Sequence, residues 1–304
     1  MNLKVFLKSL FVVVALGFMS YYFIENWSTL KQYNWHFNIR MLMLSSILLW
    51  LAFFTSIILI HRAFIKIGKA KINFIQLFRI FNISNLGRYV PGKIWNILGL
   101  YYLAGEYNIN KKQTTLAILV NEVAYKGSAL LIGIFYFIFS SSFKQYFPFM
   151  IFSLIFLLII IHPKVIDKVL NFILKLFKKP PINVHFNYIT ILIFFILYIG
   201  VWMIYSLAFY VFVNSITQLE SVSIIHFFTI LPLCWVVGYI MIFAPGGIGV
   251  REGMLIVILS EFLPSEVALV IALSQRIWFT LIEGINILIS LLISSKAKPI
   301  SDAN

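Results

Sequence analysis

Apolar stretches of membrane-crossing length recur along this chain, and they leave few folds open. Residues 41–60, 114–139, 188–213 and 268–293 are such stretches. A helix needs about 20 apolar residues to cross a hydrocarbon core, and only helices or closed barrels satisfy their backbone groups there. Charged residues make up 11% of the chain and hydrophobic ones 62%, whereas a soluble domain carries about 25% charge. The expectation is an all-α, polytopic membrane helix bundle, a single integral domain over residues 1–304 with no room for a large soluble domain. The net charge of +14 does not point to nucleic acid. Lys and Arg fall mostly in short loops, where they report orientation and anionic headgroups.

Two interruptions break the apolar pattern. The first is Asn85-Leu-Gly-Arg-Tyr-Val-Pro-Gly-Lys-Ile-Trp95, and the second is Ala244-Pro-Gly-Gly-Ile-Gly-Val-Arg-Glu-Gly253. Proline ends a helix and glycine permits a tight turn. In a membrane such a break is tolerated only inside protein or beside a water-filled cavity. The apolar arms beside each break are short for full crossings, so each is read as a re-entrant hairpin rather than two spans.

In chain order, Lys4 and Lys8 precede an apolar run to about residue 24 with no small-residue cleavage site, so residues 1–30 are read as an N-terminal anchor helix rather than a signal peptide. The span at 41–60 ends in a basic loop with Arg62, Lys66, Lys69 and Lys71. The first break lies within 74–104. Spans at 114–139 and 147–161 follow, then a loop with Lys164, Lys168, Lys175, Lys178 and Lys179, where 168–177 reads as an amphipathic surface helix. After the span at 188–213, the run at 224–243 is interrupted by Pro232 and leads into the second break. A short arm at 254–262 and the span at 268–293 close the chain. This gives about six full spans plus two hairpins.

That count puts both termini and every strongly basic loop on one side, which the positive-inside rule makes cytoplasmic. Residues 41–140 and 188–294 then each read span, broken hairpin, span. Three crossings separate their starts, so the two half-repeats have opposite orientation, a transporter pattern.

The remaining charges lie at membrane depth, where they usually face the bundle interior and pair. Glu122 and Lys126 are one helical turn apart and suited to an ion pair. Arg276 and Glu283 share a helix face, with Thr280 between them. A broken helix also presents a positive N-terminal end to the interior. Arg88, Lys93, Arg251 and Arg276, with Pro91, Gly92, Trp95, Pro245, Gly246 and Gly249 shaping the breaks, therefore form a candidate site for a phosphate-bearing headgroup. Glu122, Glu252 and Glu283 would hold these cations or carry protons. Neither Cys234, the one cysteine, nor the five scattered histidines have ligand spacing, so no metal or other cofactor is expected. Gly247-Ile-Gly249 lacks the strand and helix context of a nucleotide fold. Gly127, Ala129 and Gly133 are read as allowing close helix packing.

At these motifs the chain resembles the lysylphosphatidylglycerol synthase transmembrane-region family of flippase-like integral membrane proteins. The resemblance covers roughly residues 40–295 and is carried by the two Pro-Gly motifs and Glu122. It departs where Val123 follows Glu122, a position at which many relatives have Arg, and at Arg251, which varies among relatives. It implies a protein that moves a lipid, or acts beside envelope lipid and glycan synthesis, without the soluble aminoacyl-transferase domain of large members. The expected work is translocation of an anionic phospholipid or a polyprenyl-phosphate-linked sugar in the cell (inner) membrane, with envelope-glycan enzymes as partners. Alanine at Lys93 or Arg276 is expected to abolish flipping. Two other classes are a glycosyl or acyl transferase at the lipid interface, and a non-catalytic subunit of a polysaccharide complex.

Overall fold

A computed structural model of the protein describes residues 27–90, 94–139, 162–176, 187–219, 224–241 and 244–293, with isolated positions besides. The anchor run at 1–24, the span at 147–161 and the Pro91-Gly92-Lys93 triplet fall outside the described residues, a few single positions apart. Among the described residues the regular elements are all helical. They are α1 (Trp27–Gln32), α2 (Ile39–Lys66), α3 (Phe74–Asn85), α4 (Trp95–Gly105), α5 (Lys111–Ile134), α6 (Pro163–Leu176), α7 (Tyr188–Asn214), α8 (Ile224–Ile240), α9 (Val250–Leu259) and α10 (Ser265–Leu292). A 3-10 turn, Leu86–Tyr89, follows α3, and another, Pro245–Gly247, precedes α9. Four stretches are long and apolar enough to cross a membrane: α2, Lys111–Ile138, α7 and α10. The protein is a polytopic helical bundle.

Asparagine sets four of the helix starts. The Asn38 side chain accepts from the Arg40 and Met41 amides, and Asn187 accepts from Ile189. Asn73 and Asn110 each form a reciprocal box with a glutamine three residues on. Gln76 N donates to Asn73 Oδ1 at 2.8 Å while Asn73 N donates to Gln76 Oε1 at 3.1 Å. The same pair of bonds joins Asn110 and Gln113 at 2.9 and 3.2 Å. These caps satisfy amides that have no intrahelical partner. They also start α2 and α5 two to three residues before the apolar runs begin. Arg62 and Lys66, expected in a loop, instead occupy the last turns of α2.

The outer helix faces are apolar, and the buried faces mix apolar side chains with polar ones. On α10, Ile277, Leu281, Ile285, Leu288 and Leu292 are exposed, while Gln275, Glu283, Asn286 and Ser290 are buried. That is the pattern expected when the outer solvent is hydrocarbon and polar groups must find partners within the bundle. Several do find them: Trp50 Nε1 donates to Asn286 Oδ1 at 3.1 Å, Trp278 Nε1 to Ser46 Oγ at 3.0 Å, and Trp202 Nε1 to the Tyr125 carbonyl at 3.0 Å. The Tyr198 hydroxyl bonds to Asn121.

Pro232 does not interrupt its helix, contrary to the sequence expectation; α8 runs through it. Proline at this position leaves the Phe228 carbonyl without its intrahelical donor. Ser206 of α7 supplies one, its Oγ donating to the Phe228 oxygen at 3.4 Å, which is how neighbouring helices make intramembrane proline tolerable. Ser206 is fully buried. Ser206→Ala is expected to lower stability by about 1 kcal/mol, read as an earlier thermal-unfolding midpoint in detergent, and Ser206→Thr is expected to recover part of it.

The element order is long helix, broken pair, long helix, twice over: α2, α3 with α4, α5; then α7, α8 with α9, α10. Within each pair the arms pack together across their break. With 12, 11 and 10 residues, α3, α4 and α9 run only about 18, 17 and 15 Å, short of the roughly 30 Å hydrocarbon core. The two sets are cross-braced. Arm α3 packs on α10 and arm α8 packs on α5, so each broken pair leans on the closing helix of the other set. Close contact of α8 with α5 depends on Gly133, where an added Cβ would lie 2.8 Å from Leu233 Cα.

Candidate functional site

The second break needs its glycines. Gly246, Gly247 and Gly249 have φ of 58°, 73° and 86°, a region costly for residues with a Cβ. Gly247 also lies against Gly238 of α8, where an added Cβ would approach the Gly238 carbonyl oxygen to 3.3 Å. Glu252 then closes the start of α9, its Oε2 accepting from the Gly249 amide at 2.7 Å. The chain's own carboxylate thus takes the first of the amides that the sequence offers to an anion at that helix end.

Both breaks are held by one helix. Arg276 of α10 reaches the second: Nη1 donates to the Gly246 carbonyl at 3.2 Å and lies 3.5 Å from Glu252 Oε1. Glu283, two turns further along α10, reaches the first. Its Oε2 accepts from the Tyr89 hydroxyl at 2.9 Å, and its Oε1 lies 2.8 Å from Arg88 Nη1 as an ion pair too oblique to count as a hydrogen bond. Arg276 and Glu283 thus share a helix face, as expected, but each pairs with a different break. The breaks themselves meet: a Cβ on Gly246 would be 3.1 Å from Arg276 Nη2 and 3.8 Å from the Arg88 carbonyl oxygen.

The breaks border a cavity of about 140 Å³, well above the roughly 10–15 Å³ that one water needs on the same measure. Its charged lining is Arg88, Glu122, Lys126, Arg251, Arg276 and Glu283. Glu122 and Lys126 form the ion pair their spacing suggested, and the Lys126 ammonium also bonds to Tyr239. Asn85, Asn96 and Asn121 add amides. Aromatic rings complete the wall, with Tyr125 backed by a stacked Trp202 and Tyr205 stacked on Phe279.

Arg251 stands apart from the other three cations. It is 5% exposed, and its Nε and Nη2 have no hydrogen-bond acceptor among the described residues. Its guanidinium carbon sits 5.3 Å from the Trp235 ring centre and 5.0 Å from that of Phe279. Trp95 is exposed, 47%, and does not line the cavity; Gly249 caps α9 behind it. Tyr89, Asn85, Asn96 and Tyr239 line the site but were not singled out in the sequence. Tyr89 and Asn85 stood within the first motif, so proximity to the break was the available signal. Tyr239 carried none.

The family model described as the lysylphosphatidylglycerol synthase TM region matches residues 5–282 of the chain. No curated protein matches it.

Proposed function

From a chain that belongs to the lysylphosphatidylglycerol synthase TM-region family, we propose a membrane protein that translocates an anionic lipid headgroup, carried on a phospholipid or a polyprenyl-phosphate-linked sugar. The observation that carries this reading is the cavity at the meeting point of two broken helices, bordered by four cations, inside a bundle whose outer helix faces are apolar. A headgroup would occupy the cavity while its chains stay in hydrocarbon, and the cavity would open to one leaflet and then the other. The short arms α3, α4 and α9 support re-entrant hairpins. The repeated element order supports two half-repeats, 41–140 and 188–294, inserted in opposite senses. With the basic loops cytoplasmic, both termini face the cytoplasm of the inner membrane. The carboxylates serve chiefly as holders of Arg88, Lys126 and Arg276, and Lys93 belongs to the same proposed site.

The test is flipping in vesicles. Full-length protein is reconstituted with a trace of chain-labelled phosphatidylglycerol, and a membrane-impermeant reductant bleaches the outer leaflet. Bleaching beyond the outer-leaflet share is expected for the natural protein and not for Lys93→Ala or Arg276→Gln. Protection of the inner-leaflet share in vesicles holding the natural protein would overturn the reading.

A further inference from the structure

The cations account for only part of the cavity wall. Three carboxamides face it as well: Asn85 at the end of α3, Asn96 in the first turn of α4 and Asn121 on α5. Asn85 is 5% exposed, yet its side chain makes no capping bond and has no hydrogen-bond partner among the described residues. Asn96 has none there either. Asn121, also 5% exposed, accepts at Oδ1 from the Tyr198 hydroxyl, and its Nδ2 has no acceptor among the described residues. Buried side-chain amides are ordinarily paired. Asn82 and Asn286, buried elsewhere in the bundle, follow that rule: Asn82 donates to the Phe78 carbonyl at 2.9 Å, and Asn286 accepts from Trp50 at 3.1 Å.

Rings stand beside these amides. Nine aromatic side chains line the cavity, so the wall is mostly ring with a few polar groups, the usual make-up of a small-molecule site. Tyr125 is the most firmly held. Trp202, outside the lining, stacks on it with ring centres 4.9 Å apart and donates Nε1 to the Tyr125 carbonyl at 3.0 Å. Tyr198 and Trp235 cross the Tyr125 ring at 71° and 82°, so three lining rings form a corner. Phe81, one turn before Asn85 on α3, adds a further ring.

Unpaired amides beside rings suit a molecule that is apolar on its faces and polar on its rim. A sugar ring is built that way. Its C–H faces lie flat on aromatic rings, and its hydroxyls, each both donor and acceptor, project from the edge. A primary amide sets N–H beside C=O and meets two neighbouring hydroxyls at once. An acyl chain in the same place would leave the amides unpaired, at the cost of their desolvation. A quaternary ammonium also seats on rings, but it brings no hydroxyl or N–H to the amides. On the measure by which one water needs 10–15 Å³, the cavity has room for about ten waters, roughly the bulk of one sugar ring.

We infer that the headgroup carries a sugar ring on its phosphate, and that Asn85, Asn96 and Asn121, with the corner of rings at Tyr125, read that ring. This rests on the translocation reading and adds a neutral group that the cations cannot recognise.

The test compares diesters of equal charge, so that the cations act on each alike. Binding to the purified full-length protein is measured by calorimetry in detergent. The probes are citronellyl phosphoglucose, citronellyl ethyl phosphate, short-chain phosphatidylglycerol and short-chain phosphatidylinositol. The natural protein is expected to bind phosphoglucose about tenfold or more tightly than the ethyl diester. Phosphatidylglycerol, with hydroxyls but no ring, is expected to fall between. Phosphatidylinositol, a hydroxylated ring on a diacyl lipid, separates the carriers. Binding equal to phosphoglucose admits both carriers, weaker binding selects the polyprenyl one, and either keeps the inference. The double variant Asn85→Leu with Asn96→Leu is expected to cut the phosphoglucose advantage to about threefold or less. Its thermal midpoint should hold, because neither amide supports the fold through a hydrogen bond.

Equal binding of phosphoglucose and the ethyl diester by the natural protein overturns the inference, and this comparison decides alone should the double variant fail to fold. An undiminished advantage in the folded double variant also overturns it. Flipping of phosphatidylglycerol with no phosphoglucose advantage removes the sugar site and leaves translocation standing. An advantage that depends on the asparagines, with neither labelled phosphoglucose nor phosphatidylglycerol flipped in vesicles, keeps the site and removes translocation.

Discussion

Glu283→Ala is expected to lower stability by about 3–5 kcal/mol, the usual cost of stripping one partner from a buried ion pair. Glu283 is 3% exposed, accepts a hydrogen bond from Tyr89 and pairs ionically with Arg88, both of the first break, so its loss strands the Arg88 guanidinium and the Tyr89 hydroxyl together. Detergent-solubilised variant should unfold at a midpoint roughly 10 °C lower. Glu283→Gln keeps an acceptor for Tyr89 but not the charge, and should fall between. The double variant Arg88→Met with Glu283→Met should regain much of the loss, since an apolar pair leaves no buried charge behind. A Glu283→Ala protein melting at the natural midpoint would show that the first break is held by something other than α10.

Gly87→Ala should be the most damaging glycine substitution among the described residues of the first break. The added Cβ would stand 2.5 Å from the Trp95 carbonyl carbon and 2.6 Å from the Asn96 nitrogen. These are backbone atoms, so the first turn of α4 must shift as a unit. Overpacking of this kind costs about 1–3 kcal/mol, and here it also displaces Asn96, which lines the cavity. Gly105→Ala is the control, because no heavy atom lies within 4 Å of its added Cβ. Thermal midpoints of the two variants give the comparison. Equal midpoints would mean that α4 does not rest on the break as described.

Much of the bundle was legible before any coordinates. Runs of apolar residues mark α2, α5, α7 and α10 because hydrocarbon selects for them directly. The pairing of Glu122 with Lys126 was legible because a four-residue spacing is a purely local geometry. Pairing across helices was not. Nothing in the sequence assigns Glu283 to Arg88 rather than to Arg276, since the choice depends on which break lies beside which turn of α10. Pro232 misled for the same reason: the serine that completes its helix comes from α7. The asparagine caps are visible as residues, but hydropathy does not weigh them, so it places the starts of α2 and α5 two or three residues late, while α3 and α7 begin where it puts them. Glu252 looked like a partner for an arginine and is one. Its second task at the Gly249 amide appears only when the turn through three left-handed glycines is seen.

Arg276 and Glu283 are two handles on one rod. Seven residues of helix fix the distance between them at about 10 Å, so the gap between their grips is not free to vary. A change that drew Glu283 from Arg88 would slacken the first break, and a tilt or slide of the rod that followed would tug the second through Arg276. Doors mounted on a common shaft of this kind swing together.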